Sequence, residues 1–193
     1  EWLQGMQQGS IVLLAVIMGL MLAFDMGGPI NKVAYAFMLI CVAQGVYTVV
    51  AIAAVGICVP PLGLGLATLI GRKNFSSEER EAGKAALVMG CVGVTEGAIP
   101  FAAADPLRVI PSIMVGSACG TVTAALFGAQ CYAGWGGLIV LPVVEGKLGY
   151  IAAVAVGAVV TAVCVNVLKS LARKKVSQVD QKEDDLDLDF EMN

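Results

Sequence analysis

Residues 93–108 read GVTEGAIPFAAADPLR. A glutamate, an aspartate and an arginine stand there inside a long apolar region, with Gly93 and Gly97 around the glutamate and prolines at 100 and 106. An acidic side chain such as Asp at the centre of a membrane helix costs roughly 2.5–3.5 kcal/mol on insertion scales. Proline removes a backbone donor and clashes with the preceding turn. Irregular backbone at membrane depth is tolerated only where it is buried in protein or lines a wet cavity. The stretch is therefore expected to turn back on itself, with Glu96 facing water, and not to cross as one helix.

The rest of the chain supports a membrane setting. Of 193 residues, 58% are hydrophobic and 14% charged, where soluble domains carry about 25% charged residues. Mean hydropathy is +0.84. The fold class is all-α integral membrane. The net charge of −3 divides unevenly: residues 176–193 hold seven acids and one lysine, whereas residues 1–175 hold eight acids and eleven bases. Residues 1–175 are thus expected to form the membrane domain and residues 176–193 an acidic, disordered cytoplasmic tail. The first residue is Glu1 and no secretory signal is visible, so a preceding N-terminal portion is expected. With no histidine, this chain contains no Ser-His-Asp triad, no H-E-x-x-H zinc site and no phosphohistidine. The six cysteines lack metal-type spacing and read as small buried hydrophobes. Nothing calls for a metal, a cofactor or a nucleic-acid partner.

Apolar runs mark the spans. Residues 10–24 approach the roughly 20 residues needed to cross if residues 5–9 contribute. DMGGPINK (25–32) breaks the pattern with two glycines and a proline, which exclude a regular helix there. Residues 33–58 carry no charge over 26 residues, enough for a tilted span that Pro60 and Pro61 end. Residues 62–70 are too short to cross unless joined to a neighbour. Ser76 and Glu79 form a capping box for a helix starting near Ser77. Residues 109–130 and 149–168 read as spans, and 131–147 as a loop or half-buried hairpin. Gly116 and Gly120 allow close helix contact, within the chain or at a dimer seam. Lys/Arg-rich residues 71–84 and 169–175 are both expected on the cytoplasmic side. An even number of crossings must then separate them, and two clear spans already supply it. Residues 85–105 should therefore enter and leave on one side, as a re-entrant hairpin.

A carboxylate at the tip of such a hairpin can accept hydrogen bonds from a polyol, or serve as base toward a hydroxyl being phosphorylated. Its bland alternative is an internal pair with Arg108 or Lys84. Intramembrane acids also serve proton relays, so an ion-coupled secondary transporter with Glu96 as proton carrier is the alternative function. Asp25, Asn31 and Lys32, around Gly27, Gly28 and Pro29, line the same cavity or form only a loop. Asp105 reads as a turn or cap before Pro106. Arg108 reads as a snorkelling residue, and Pro100 as an interruption beside Glu96.

DMGGPINKVAYAF, GVTEGAIPFAAADPLRVIPSIMVGSA and LPVVEGK together resemble the membrane IIC component of fructose-type sugar phosphotransferase systems, over about residues 10–170. That resemblance implies the C-terminal half of a homodimeric bacterial inner-membrane permease. Such a permease phosphorylates a fructose-like sugar during import, acting as an enzyme only with IIA and IIB carriers. The phosphoryl group comes from a IIB phosphocysteine, and the N-terminal half of IIC supplies the remaining spans. It also implies sugar-site roles for Glu96, catalytic as well as binding, and for Thr95, Asn31, Lys32 and Asp25.

Overall fold

The computed structural model describes the backbone of residues 10–191 and the side chains through residue 173. Residues 1–9, which the sequence enlists to lengthen the first run, lie outside it. Helix α1 (Ile11–Phe24) has 14 residues and rises only about 21 Å. A turn through Met26 (φ 47°) and Gly27 (φ 110°) follows. Helix α2 (Pro29–Ala43) then begins on the proline, which suits the first helical position because its missing N–H would lack a partner there anyway. The break expected over 25–32 is thus confined to 25–28, and Pro29–Lys32 form the first turn of α2.

Two further expectations are corrected. The uncharged run 33–58 is not one helix. Gly45 adopts φ 73°, Val46 N donates to Cys41 O at 2.8 Å and Gly45 N to Val42 O at 3.1 Å. This left-handed cap satisfies the last carbonyls of α2, and α3 (Tyr47–Ile70) starts afresh. Pro60 and Pro61 do not end that helix but lie buried inside it. Surrounding helices make this tolerable, as in other membrane spans. Helix α3 is apolar on all sides and buried from Val49 to Gly65, the signature of a central helix.

Helix α4 (Ser77–Val92) begins at the expected capping box: Glu79 N donates to Ser76 Oγ at 3.1 Å, and Ser76 N to Glu79 Oε2 at 2.8 Å. It stops at Gly93 (φ 87°). A 3-10 turn (Thr95–Ala98) leads into the short α5 (Ile99–Ala104), and α6 (Pro106–Leu126) follows directly. Strands β1 (Gln130–Cys131) and β2 (Val144–Glu145) pair antiparallel, Gln130 opposite Glu145, so the glycine-rich connection is a hairpin. Helix α7 runs Lys147–Glu191. Its backbone continues as helix through the acidic segment where the sequence predicts disorder. Among the described residues, three helices are long and apolar enough to cross a membrane, 47–70, 106–126 and 147–173, and the protein is an integral, multi-pass membrane protein.

Helices α3, α6 and α7 meet at Thr161. A Cβ on Gly63 or Gly116 would overlap that side chain, and one on Gly120 would lie 3.1 Å from Ala153 O. The Gly116–Gly120 pair therefore serves packing within the chain. Segment 76–105 doubles back: a Cβ on Gly97 would be 3.1 Å from Met89 Cβ, and Phe101 packs edge-on against Phe75 at 6.3 Å. Ala104 and Asp105 share a cleft with Ser76 and Glu79, so both ends of the segment lie together. The same end holds the base of α7: Arg173 Nη1 donates to Lys73 O at 2.9 Å, Asn74 Nδ2 to Asn166 Oδ1 at 3.0 Å and Lys169 to Glu79 at 2.5 Å.

Candidate functional site

The turn after α1 and the turn after α4 face each other. In the first, Asp25 is placed by the backward bend of Met26–Gly28. Its Oδ2 accepts from Ile30 N at 2.7 Å and its Oδ1 from Asn31 N at 2.9 Å. The carboxylate thereby satisfies two free amides of α2 and lies where a helix N-terminus favours negative charge. Asn31 is buried and its Nδ2 donates to Leu22 O at 2.6 Å, which ties α2 back to α1. Lys32 follows with its head exposed. In the second turn, Gly93 ends α4 and Thr95 and Glu96 begin the 3-10 turn, Thr95 buried and Glu96 exposed.

These groups surround a cavity of about 440 Å³ lined by Gly27, Asn31, Lys32, Tyr35, Ile57, Gly93, Val94, Thr95, Glu96 and Trp135. Ligand pockets fall in the range of about 300–1,000 Å³. Gly27 is required at its position on two counts. Its φ of 110° disfavours a side chain, and a Cβ there would lie 2.7 Å from Glu96 Oε1. The backbone of the first turn thus approaches the carboxylate of the second directly. Glu96 pairs with neither Arg108 nor Lys84: Arg108 Nη1 donates to Asp105 Oδ2 at 2.9 Å, and Lys84 to Glu81 at 2.7 Å. Among the described residues no side-chain hydrogen bond or ion pair engages Glu96 or Lys32. The cavity therefore offers a free carboxylate and a free ammonium, with a threonine and an amide beside them.

Among curated proteins, the chain is 92% identical over all 193 residues to the fructose-like permease IIC component 2 of Escherichia coli (strain K12), covering 54% of that protein. The chain belongs to the fructose-type IIC family. It is also 49% identical over 171 residues (87% of this chain, 30% of that protein) to the PTS system fructose-specific EIIB'BC component of Xanthomonas campestris pv. campestris. With the fructose permease IIC component of Bacillus amyloliquefaciens, identity is 42% over 175 residues, 91% of this chain and 57% of that protein. The chain thus spans about half or less of the length of these relatives. No family model and no solved structure matches it.

Within this fructose-type IIC chain, Glu96, Thr95, Asn31, Lys32 and Gly27 come together as expected, whereas Asp25, Gly28, Pro29, Pro100, Asp105 and Arg108 do not line the cavity. Asp25 lies outside the cavity lining and holds the α2 N-terminus. Pro100, Asp105 and Arg108 line a separate cleft of about 840 Å³ at the base of the doubled-back segment, with Glu79 and Lys169. Sequence reasoning missed Tyr35, Ile57 and Trp135. A signal existed for the tryptophan: AGWGG places a large ring among glycines, which marks close backbone approach. Tyr35 and Ile57 lie in apolar helical runs and carry no such mark.

Proposed function

We propose that the chain forms part of the sugar path of a bacterial inner-membrane permease that phosphorylates fructose, or a fructose-like sugar, as it imports it. The observation that carries this reading is the cavity in which the unpaired Glu96 and Lys32 converge with Thr95 and Asn31. A sugar hydroxyl donates to Glu96, while Lys32 and the amide of Asn31 bind further oxygens. During transfer the hydroxyl oxygen forms a new bond to phosphorus, the phosphorus–sulfur bond of a IIB phosphocysteine breaks to leave a thiolate, and the hydroxyl proton passes to the Glu96 carboxylate. Asp25 holds the Gly27–Pro29 turn, and Asp105 and Arg108 shape the base of the doubled-back segment.

In this reading residues 85–105 form a re-entrant hairpin. The base holding Lys73, Arg108, Lys169 and Arg173 faces the cytoplasm, as does the C-terminus, where the cationic ends of membrane segments concentrate. Residues 1–175 form the C-terminal half of the IIC domain. An N-terminal half, IIA and IIB carriers, surrounding lipid and a second copy complete the assembly, and residues 176–193 form a separate acidic tail. Fused names such as EIIB'BC among the relatives support a IIB partner.

The test is phosphoenolpyruvate-dependent phosphorylation of fructose by vesicles carrying the full-length protein and its carriers. Glu96→Gln should lower turnover by about 10²-fold or more, with expression unchanged. Normal turnover in that variant removes Glu96 from the site. Uptake that survives loss of the carriers but collapses with an uncoupler would replace this reading with ion-coupled transport.

A further inference from the structure

The cavity has an apolar side that the proposed chemistry leaves unused. Trp135 stands in the hairpin between β1 and β2, and glycines let that loop press into the helices. A Cβ on Gly134 would lie 2.8 Å from Leu39 Cδ2, one on Gly136 2.8 Å from Ile57 Cβ, and one on Gly137 2.6 Å from Cys91 O. Tyr150 Oη donates to Gly137 O at 2.8 Å and holds the loop from α7. The indole is thereby delivered between α2, α3 and the end of α4. Its Nε1 donates to Val92 O at 2.7 Å, and the Tyr35 hydroxyl donates to Gly134 O at 3.0 Å. The two rings meet edge to face, with centroids 6.3 Å apart and planes at 88°.

Both polar tips are therefore engaged with backbone carbonyls, so these rings offer the cavity only their carbon surface. The polar groups stand beside the two turns, Asn31 and Lys32 at the start of α2 and Thr95 and Glu96 on the 3-10 turn after α4. A ligand suited to this arrangement has an apolar face and a hydroxylated rim. Sugars have that character: hydroxyls radiate from the ring, and one face presents polarised C–H bonds that suit the negative face of an aromatic π system. We infer that the indole of Trp135, braced by Tyr35, is the wall against which the C–H face of the sugar packs, which makes Trp135 a specificity-determining residue of this cavity. Sugars whose hydroxyls project from that face are disfavoured, because burying an unpartnered hydroxyl against the ring is costly.

The inference rests on the proposed sugar site, and its test separates the two. The full-length protein is made with every other tryptophan replaced by phenylalanine, and Trp135 emission is followed while fructose is added. A saturable shift is expected. In carrier-supplied vesicles, Trp135→Leu should raise KM about five- to tenfold, with a much smaller change in kcat. Trp135→Phe, which keeps a ring but loses the bond to Val92 O, should restore most of the KM. Unchanged emission at saturating fructose, in a protein that phosphorylates it, overturns the inference. So does equal impairment of kcat in the Leu and Phe variants at unchanged KM, the mark of a purely structural hydrogen bond. A saturable emission shift without any phosphorylation refutes the phosphotransferase reading and leaves the aromatic wall standing.

Discussion

Lys169→Met tests whether the base of the doubled-back segment is clamped to α7. Lys169 Nζ lies 2.5 Å from Glu79 Oε1, and their side chains are 8% and 15% exposed. The ammonium also sits 4.3 Å from the centre of the Phe75 ring, which packs on Phe101. Removing one member of a buried pair typically costs 3–5 kcal/mol, because the remaining charge is left uncompensated. Glu79 keeps the amide of Ser76 as a donor at 2.8 Å, so the lower end, about 3 kcal/mol, is expected here. That corresponds to roughly 10²-fold in the folding equilibrium. Glu81 and Lys84 provide the contrast: their pair is 74% and 69% exposed, and Lys84→Met should cost no more than about 0.5 kcal/mol.

Glu79→Gln completes the cycle cleanly, since glutamine at the third helical position still satisfies a capping box. The double variant leaves neither charge stranded. It should be more stable than the sum of the single losses predicts, by about 2 kcal/mol. The measurement is reversible denaturation of the full-length protein in mixed micelles, followed by circular dichroism. If Lys169→Met behaves like Lys84→Met, or if the cycle is additive, the clamp does not exist as an energetic unit.

Other outcomes follow from the same geometry. Gly27→Ala should cost about 1–3 kcal/mol in stability from its backbone conformation, and it should lower phosphorylation at least tenfold because the new methyl displaces the Glu96 carboxylate; a kinetic assay beside a denaturation curve checks both. Asp25→Ala should destabilise by about 1–2 kcal/mol through loss of the α2 cap, with Asp25→Asn intermediate, as read by the same denaturation. Gly116→Val should destabilise the single chain by about 1–3 kcal/mol by overpacking against Thr161, without selectively weakening association between copies, a comparison that denaturation and sedimentation make together. Tyr132 donates to Glu145 at 2.7 Å, and this hydrogen bond holds its phenol above the usual tyrosine range. The sign follows: the contact is intact below about pH 10 and is lost as pH rises through the raised value. Ultraviolet difference titration of wild type against Tyr132→Phe should therefore show one phenol ionising late.

What the sequence made legible depended on which signals act locally. The capping box at Ser76–Glu79 and the breaks at Gly27 and Gly93 are satisfied by neighbouring backbone, so they could be read directly. The re-entrant hairpin expected over residues 85–105 came from the placement of charge and proline, and it belongs to the proposed reading. The break at Gly45 was hidden, because an uncharged apolar run looks the same whether it is one span or two helices joined by a left-handed cap. Pro60 and Pro61 misled for the opposite reason: the rule that proline ends a helix assumes that no neighbours surround it, and α3 is buried on every side. Asp25 drew its sugar role from the resemblance, whereas its carboxylate accepts from the amides of Ile30 and Asn31 at the start of α2. Trp135 was missed because its place in the cavity is set by contacts with α2, α3 and α4, none of them adjacent in sequence.

Around the cavity, the carboxylate of Asp25, the amide nitrogen of Asn31, the hydroxyl of Tyr35 and the indole nitrogen of Trp135 each end on backbone. Glu96 and Lys32 do not, and both are exposed. Buried polar groups are ordinarily satisfied within the protein, so the tied groups define the shape of the site. The two untied charges, with the second N–H of the Asn31 amide and the Thr95 hydroxyl, are the groups left to form new bonds to a substrate. In the proposed reading, a chain without histidine contributes a base and a cation to a sugar site, the base on the 3-10 turn after Gly93 and the cation in the first turn of the helix that follows Gly27–Gly28. The aromatic pair, tied at its polar tips, then has only its faces left to give, and a hydroxylated ring with an apolar face is the chemistry that uses all three kinds of group at once.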